Sequence, residues 1–185
     1  MYVAPVRYTD AVINTLFRTE LMPVQDYTQR YQKQFGKTVE LNLLKAELEE
    51  KNFRVNLTVI DTPGFGDFVN NRDCWTPLID FLDDQYETYM RQEQQPLRKQ
   101  KIDMRVHACL YFITPTGHTL KPLDIEVMKR LSTRVNLIPV IAKADTMLPR
   151  DLHLFKERVR EVIRVHNIQV FAPPFDAIDE ASAVS

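Results

Sequence analysis

Two nearly continuous apolar runs, residues 106–113 and 137–142, constrain this chain more than any other feature. Strands that are apolar on both sides must be covered on both faces, and a parallel sheet sandwiched between helices provides that cover. Around the runs the spacing becomes helical. Leu123, Val127, Met128 and Leu131 follow Pro122, and Leu152, Phe155, Val159, Val162 and Ile163 follow Pro149, proline being well suited to a first helical turn. Upstream, Trp75, Leu78, Ile79, Leu82, Tyr86, Tyr89 and Met90 mark a core-facing stripe along a helix of about five turns. Strand alternating with helix is the order of an α/β layer structure. Residues 168–171 predict one further short strand before Pro173 and Pro174. Pro139 removes a ladder donor from the second run, which predicts a bulge or interruption in a central strand.

Val39, Leu41 and Leu43 alternate with polar neighbours, as do Phe53, Val55, Leu57 and Val59. With Glu49-Glu50-Lys51-Asn52 as the turn, they predict an antiparallel hairpin. Residues 92–101, dense in Gln, Lys and Arg without apolar rhythm, read as a solvated connection. The fold class is therefore α/β: an incomplete doubly wound sheet with one antiparallel hairpin.

The 185 residues, 44% of them hydrophobic, suffice for one globular core. Lys plus Arg number 24 against 25 Asp plus Glu, so there is no electrostatic basis for nucleic acid or anionic lipid as the main partner. No stretch stays apolar long enough to cross a bilayer, and residues 1–7 lack the apolar region of a signal peptide, so nothing anchors the chain by itself. Cys74 and Cys109 lack C-x-x-C spacing and fit buried thiols in a reducing, cytoplasmic setting. His107, His118, His153 and His166 show no paired ligand spacing, which argues against a zinc centre.

Chemistry concentrates in Asp61-Thr62-Pro63-Gly64-Phe65-Gly66-Asp67 and Ala142-Lys143-Ala144-Asp145. Both follow apolar runs, where an open α/β sheet presents its ligand-contacting loops. Asp61 at a strand end can hold a Mg²⁺-bound water, while Gly64 lets a backbone N–H approach a terminal phosphate without side-chain hindrance. The same residues also make an ordinary turn. Lys143 can cover a base plane with its stem, and Asp145 can accept two N–H bonds from guanine. Adenine lacks that donor pair, and each unmatched buried group costs about 1 to 3 kcal/mol. In isolation these two residues would be a solvated lysine and a helix-entry aspartate; their place just past a buried strand favours the guanine reading.

Together with residues 105–113, Pro115-Thr116-Gly117-His118 and residues 135–145, these motifs resemble those of septins, fungal septins above all, from about Val12 onward. The resemblance implies a septin-type P-loop GTPase domain that binds GTP or GDP with Mg²⁺. It implies hetero-oligomers and filaments with other septin subunits, a role in cytokinesis and septum formation at a cytoskeletal ring or bud neck, and membrane contact only through partner subunits. By resemblance, Asp61 and Gly64 take the switch II role and Lys143 and Asp145 contact guanine. Thr38 takes the switch I role, ordering Mg²⁺ and the attacking water, and His118 sits in the loop that reaches a neighbouring subunit's nucleotide. On the residues alone, Thr38 is a strand-opening threonine and His118 a turn residue beside Gly117.

The phosphate loop departs from the family's pattern. Counting back from Ile13-Asn14-Thr15-Leu16-Phe17, which resembles the helix after that loop, Val3, Val6 and Tyr8 stand where glycines are required. Thr9 replaces the lysine, and Asp10 replaces the Mg²⁺-binding hydroxyl. Losing the lysine contact and two or three amide bonds removes on the order of 4 to 8 kcal/mol, against about 8 for micromolar binding. Millimolar or absent nucleotide binding follows, without hydrolysis. The strand ahead of the loop is expected to be missing. Residues 1–11 thus read as an atypical N-terminus, 12–175 as a partial septin-type G domain and 176–185 as a truncated loop or tail. The alternative is a nucleotide-free module that pairs with intact septins through the face carrying His118 and switch II.

Overall fold

The computed structural model describes residues 2–3, 9–18, 42–50, 53–62, 73–96, 102–115 and 118–173. The strands are β1 (Tyr2–Val3), β2 (Asn42–Glu50), β3 (Phe53–Thr62), β4 (Ala108–Ile113) and β5 (Asn136–Ile141), in the sheet order β2-β3-β1-β4-β5. The helices are α1 (Thr9–Phe17), α2 (Thr76–Glu93), α3 (Pro122–Leu131) and α4 (Pro149–Val165), with a 3-10 turn at Ala144–Thr146. β1 runs parallel to β3 and β4, and β4 parallel to β5, while β2 and β3 are antiparallel.

The α/β expectation holds, with four differences. First, a short strand leads into the phosphate-loop position, its second residue, Val3, standing where the loop's first glycine is required. Tyr2 pairs with Asp61 and Leu110, and Val3 with Thr62 and Tyr111, so β1 occupies the middle of the sheet. Two residues carry no readable periodicity; a ladder on both sides fixes them instead.

Second, the hairpin closes later than its polar stretch predicts. Glu49 and Glu50 pair with Arg54 and Phe53, so they belong to β2, and Lys51 and Asn52 separate the strands. Alternation explains this: Lys45, Glu47 and Glu49 all point to the solvated face, where charge is tolerated. Arg54 reaches Glu49 at 3.4 Å and Glu47 at 3.9 Å across that face. Val39 and Leu41 lie outside the described residues.

Third, the stripe on α2 faces the core only through its first half. Leu78 and Leu82 are buried, whereas Tyr86 and Met90 are 55% and 47% exposed. The Arg105 guanidinium covers the second half, 3.6 Å from the Tyr89 ring centroid and 6.0 Å from that of Tyr86. The helix continues to Glu93, and the Gln92 side chain both donates to and accepts from the backbone of Ile102.

Fourth, β5 carries Pro139 without a bulge and ends the sheet among the described residues. Its register against β4 is unbroken from Ala108↔Asn136 to Ile113↔Ile141. The Ala142 N–H donates to the Ile113 carbonyl, whereas the Leu137 carbonyl accepts from the Phe171 N–H on the other side. Backbone groups alternate along a strand, so Pro139, in step with Leu137, turns its nitrogen away from β4 and no ladder bond is lost. Residues 168–171 touch this edge through that one bond, at 2.8 Å, and form no strand of their own.

Two apolar clusters pack on opposite sheet faces. α2, α3 and α4 cover Cys109, Tyr111, Ile113 and Leu137 with residues such as Leu82, Met128 and Phe155. On the other side Ile13 of α1, fully buried, meets Val59, Phe112 and Ala142. Cys74 and Cys109 are buried and form no disulfide. Among the described residues, no helix is long and apolar enough to cross a membrane.

Candidate functional site

Because β1, β3, β4 and β5 run parallel, their C-terminal ends lie along one edge of the sheet. That edge gathers the end of β3 with Asp61, the connection after β4 with His118, and the residues after β5 with Lys143 and Asp145. α1 begins at Thr9 after β1, so Thr9 and Asp10 form its first turn. β2 begins at Asn42, opposite Asp61, on the same edge. Thr38 and Gly64 lie outside the described residues, as do Thr116 and Gly117.

Asp61 is 6% exposed and follows the apolar residues Val59 and Ile60. It is flanked on one side by Asn42 of β2 and on the other by Tyr2 of β1. Its Oδ1 atom is buried and receives no hydrogen bond from a described group, although the residue as a whole interacts with its surroundings. Thr62, the next residue, is 1% exposed. One carboxylate at a strand end matches an ion that keeps most of its waters and draws further ligands from phosphate, as Mg²⁺ does. Among the described residues, no group of three or more His, Cys, Asp or Glu could hold a metal by itself.

Lys143 takes the left-handed conformation, φ 49° and ψ 40°. An L-residue pays roughly 1 to 2 kcal/mol for this geometry, so the surroundings must hold it there. Two bonds do: the Lys143 carbonyl accepts from the Thr146 N–H at 3.0 Å and from the Thr146 hydroxyl at 2.8 Å. The Ala142 N–H bonded to Ile113 pins the residue before the bend. Lys143 and Asp145 are therefore both exposed on a tight 3-10 turn directly beyond β5. Thr146 escaped the sequence reading, although a hydroxyl three residues after a bend is a known means of capturing its carbonyl.

His118 is exposed, and its carbonyl accepts from Arg158 of α4 at 3.4 Å. The end of the same connection is fixed through Asp124. Its Oδ1 accepts from the Tyr111 hydroxyl at 2.8 Å, and its Oδ2 from the Lys121 N–H at 3.3 Å. Burial pushes the Tyr111 hydroxyl well above its ordinary pKa, and neighbouring Asp124 pushes the same way, so this phenol stays a donor. Tyr111 and Asp124 were also missed, since nothing in a strand sequence marks which tyrosine meets a helix carboxylate.

A family model described as Septin matches residues 9–185. The chain is 59% identical over 173 residues to Cell division control protein 12 of Saccharomyces cerevisiae, covering 94% of this chain and 42% of that protein. It is 53% identical over 166 residues to Septin homolog spn4 of Schizosaccharomyces pombe, covering 90% of this chain and 44% of that protein. Among solved structures, that of Cdc11 from Saccharomyces cerevisiae matches with a TM-score of 0.57 at 32% identity, over 73% of this chain and 58% of that one. The chain thus spans less than half the length of the two relatives.

Proposed function

The chain belongs to the septin family, and from that premise we propose that it is a septin-type guanine-nucleotide domain serving a filament-forming subunit in cytokinesis and septum formation. The observation that carries this reading is the shared sheet edge, with buried Asp61 after β3 and the strained Lys143 turn with Asp145 after β5. In this reading Asp61 orients a Mg²⁺-bound water, with Thr38 and Gly64 completing the phosphate side. The Lys143 stem covers the base, and Asp145 accepts its two N–H bonds. Mg²⁺ would supply charge neutralisation for the phosphates.

Affinity is the weak point. α1 begins with Thr9 and Asp10, which stand where a lysine and a hydroxyl would meet phosphate. Guanine preference therefore persists with millimolar affinity. Titration of the purified chain with a fluorescent GTP and a fluorescent ATP tests this: GTP should bind weakly but better than ATP, and Asp145→Ala should erase the difference. Submicromolar GTP binding, or equal binding of both purines, overturns it.

A second reading, favoured by the braced connection that carries His118, is a nucleotide-free module that pairs with intact septins through this edge. Co-purification with septins in the absence of nucleotide, reduced by His118→Ala, is its signature.

A further inference from the structure

β2 forms an outer edge of the sheet, pairing with β3 on one side and with no other strand among the described residues. At nine residues it is a long edge, and an open edge is a template for another strand. Its middle, Leu44-Lys45-Ala46-Glu47-Leu48, is symmetric in size and complementary in charge about Ala46. We propose that two copies of this chain join edge to edge through β2, antiparallel about a two-fold axis at Ala46, so that the sheet continues across the pair.

Charge selects the register. A two-fold axis perpendicular to the sheet keeps like faces together, so it must pass through a residue rather than between two. An axis at Lys45 or at Glu47 sets that charge directly against itself. An axis at Leu48 sets Glu47 against the partner's Glu49 twice, and one at Leu44 shortens the overlap and sets Leu43 against the partner's Lys45. The axis at Ala46 aligns the whole strand. It places Lys45 opposite the partner's Glu47 and Leu44 opposite the partner's Leu48, each twice, at the cost of setting exposed Leu43 opposite the partner's Glu49 near the strand ends. Directly opposed residues of this kind are the unit of sheet stabilisation.

The exposed groups suit this occupant. Lys45 makes no ion pair among the described residues, and Glu47 meets Arg54 only at 3.9 Å. Leu44 and Leu48 are half-buried. On their face, opposite and beyond Leu48, Val55 and Phe53 remain 42% and 59% exposed, which extends the apolar strip that the pair would share.

Sedimentation of the purified full chain across a concentration series tests the proposal without nucleotide, so its failure leaves the guanine reading untouched. Wild type is expected to form a dimer. Lys45→Glu and Glu47→Lys should each weaken it about 10- to 30-fold, because two attractive cross-strand pairs become repulsive. A mixture of the two variants should recover association as heterodimers, since every opposed pair regains opposite signs. Oxidised Ala46→Cys should give a linked dimer, whereas Leu44→Cys should not. Both charged residues are exposed, so far-UV circular dichroism should be unchanged. A monomer at every concentration, a dimer indifferent to both reversals, or no recovery on mixing overturns the proposal.

Discussion

Replacing Ile13 by Ala isolates what holds α1 to the sheet. Ile13 is fully buried against Val59, Phe112 and Ala142, while Leu16 on the same helix is 62% exposed. α1 has nine residues, below the roughly 12 to 15 at which an isolated helix persists, so its helicity depends on docking. Truncating a buried Ile to Ala costs about 2 to 5 kcal/mol. Here the half-buried Val12 and Phe17 remain as secondary anchors. The helix can lift rather than leave a void, so the loss should fall locally, at about 2 to 3 kcal/mol. In native-state hydrogen exchange, amides of residues 13–17 should exchange about 30- to 150-fold faster, with β4 much less affected. Val159→Ala, from the cluster on the other face, is the control: it should lower global stability without singling out α1. Unchanged α1 exchange in Ile13→Ala, or equal acceleration at every amide, would refute the argument that α1 docks as a separable unit through this one side chain.

Two further outcomes follow from local contacts. The Arg105 guanidinium, bonded to Asp103 at 2.7 and 3.0 Å, holds that carboxyl far below the usual carboxylate range. The stability from this pair is complete above the unfolded pKa of about 4 and is lost as pH falls through the lower folded value. Asp103→Asn should thus flatten the acid limb of urea-midpoint measurements below about pH 4, and cost no more than about 1 kcal/mol at neutral pH because the pair is solvated. Lys143→Gly should relieve left-handed strain of roughly 1 to 2 kcal/mol against an added chain-entropy cost of about 0.5 to 1, leaving thermal stability equal or slightly higher. Guanine affinity should fall in the same variant, and a clear loss of stability instead would show that the Lys143 side chain outweighs its backbone strain.

What the sequence made legible was whatever repeats. The apolar runs marked β4 and β5, and helical spacing marked α2, α3 and α4, because buried faces impose a period. Pairings that depend on a partner were not legible. β1 exists through its two neighbours, and Glu49 and Glu50 look like turn residues until the opposite strand is seen to pair with them. Tyr86 and Met90 keep the helical period although α2 has passed the covered part of the core. At the site, the positions of Asp61, Lys143 and Asp145 beyond apolar runs were readable. The hydroxyl of Thr146 and the Tyr111 to Asp124 bond depend on three-dimensional approach, which no linear pattern announces.

The outward-facing nitrogen of Pro139 gives the two sides of the sheet unequal capacity for growth. Any segment laid along β5 meets a missing hydrogen halfway, so a repeating cross-β stack cannot propagate there without a gap. If β2 closes with a second copy in the register set by Ala46, growth of the sheet by strand addition stops at two copies, and longer assemblies must use other faces. A single imino acid would then act as a gatekeeper, separating a finite assembly from an endless fibre.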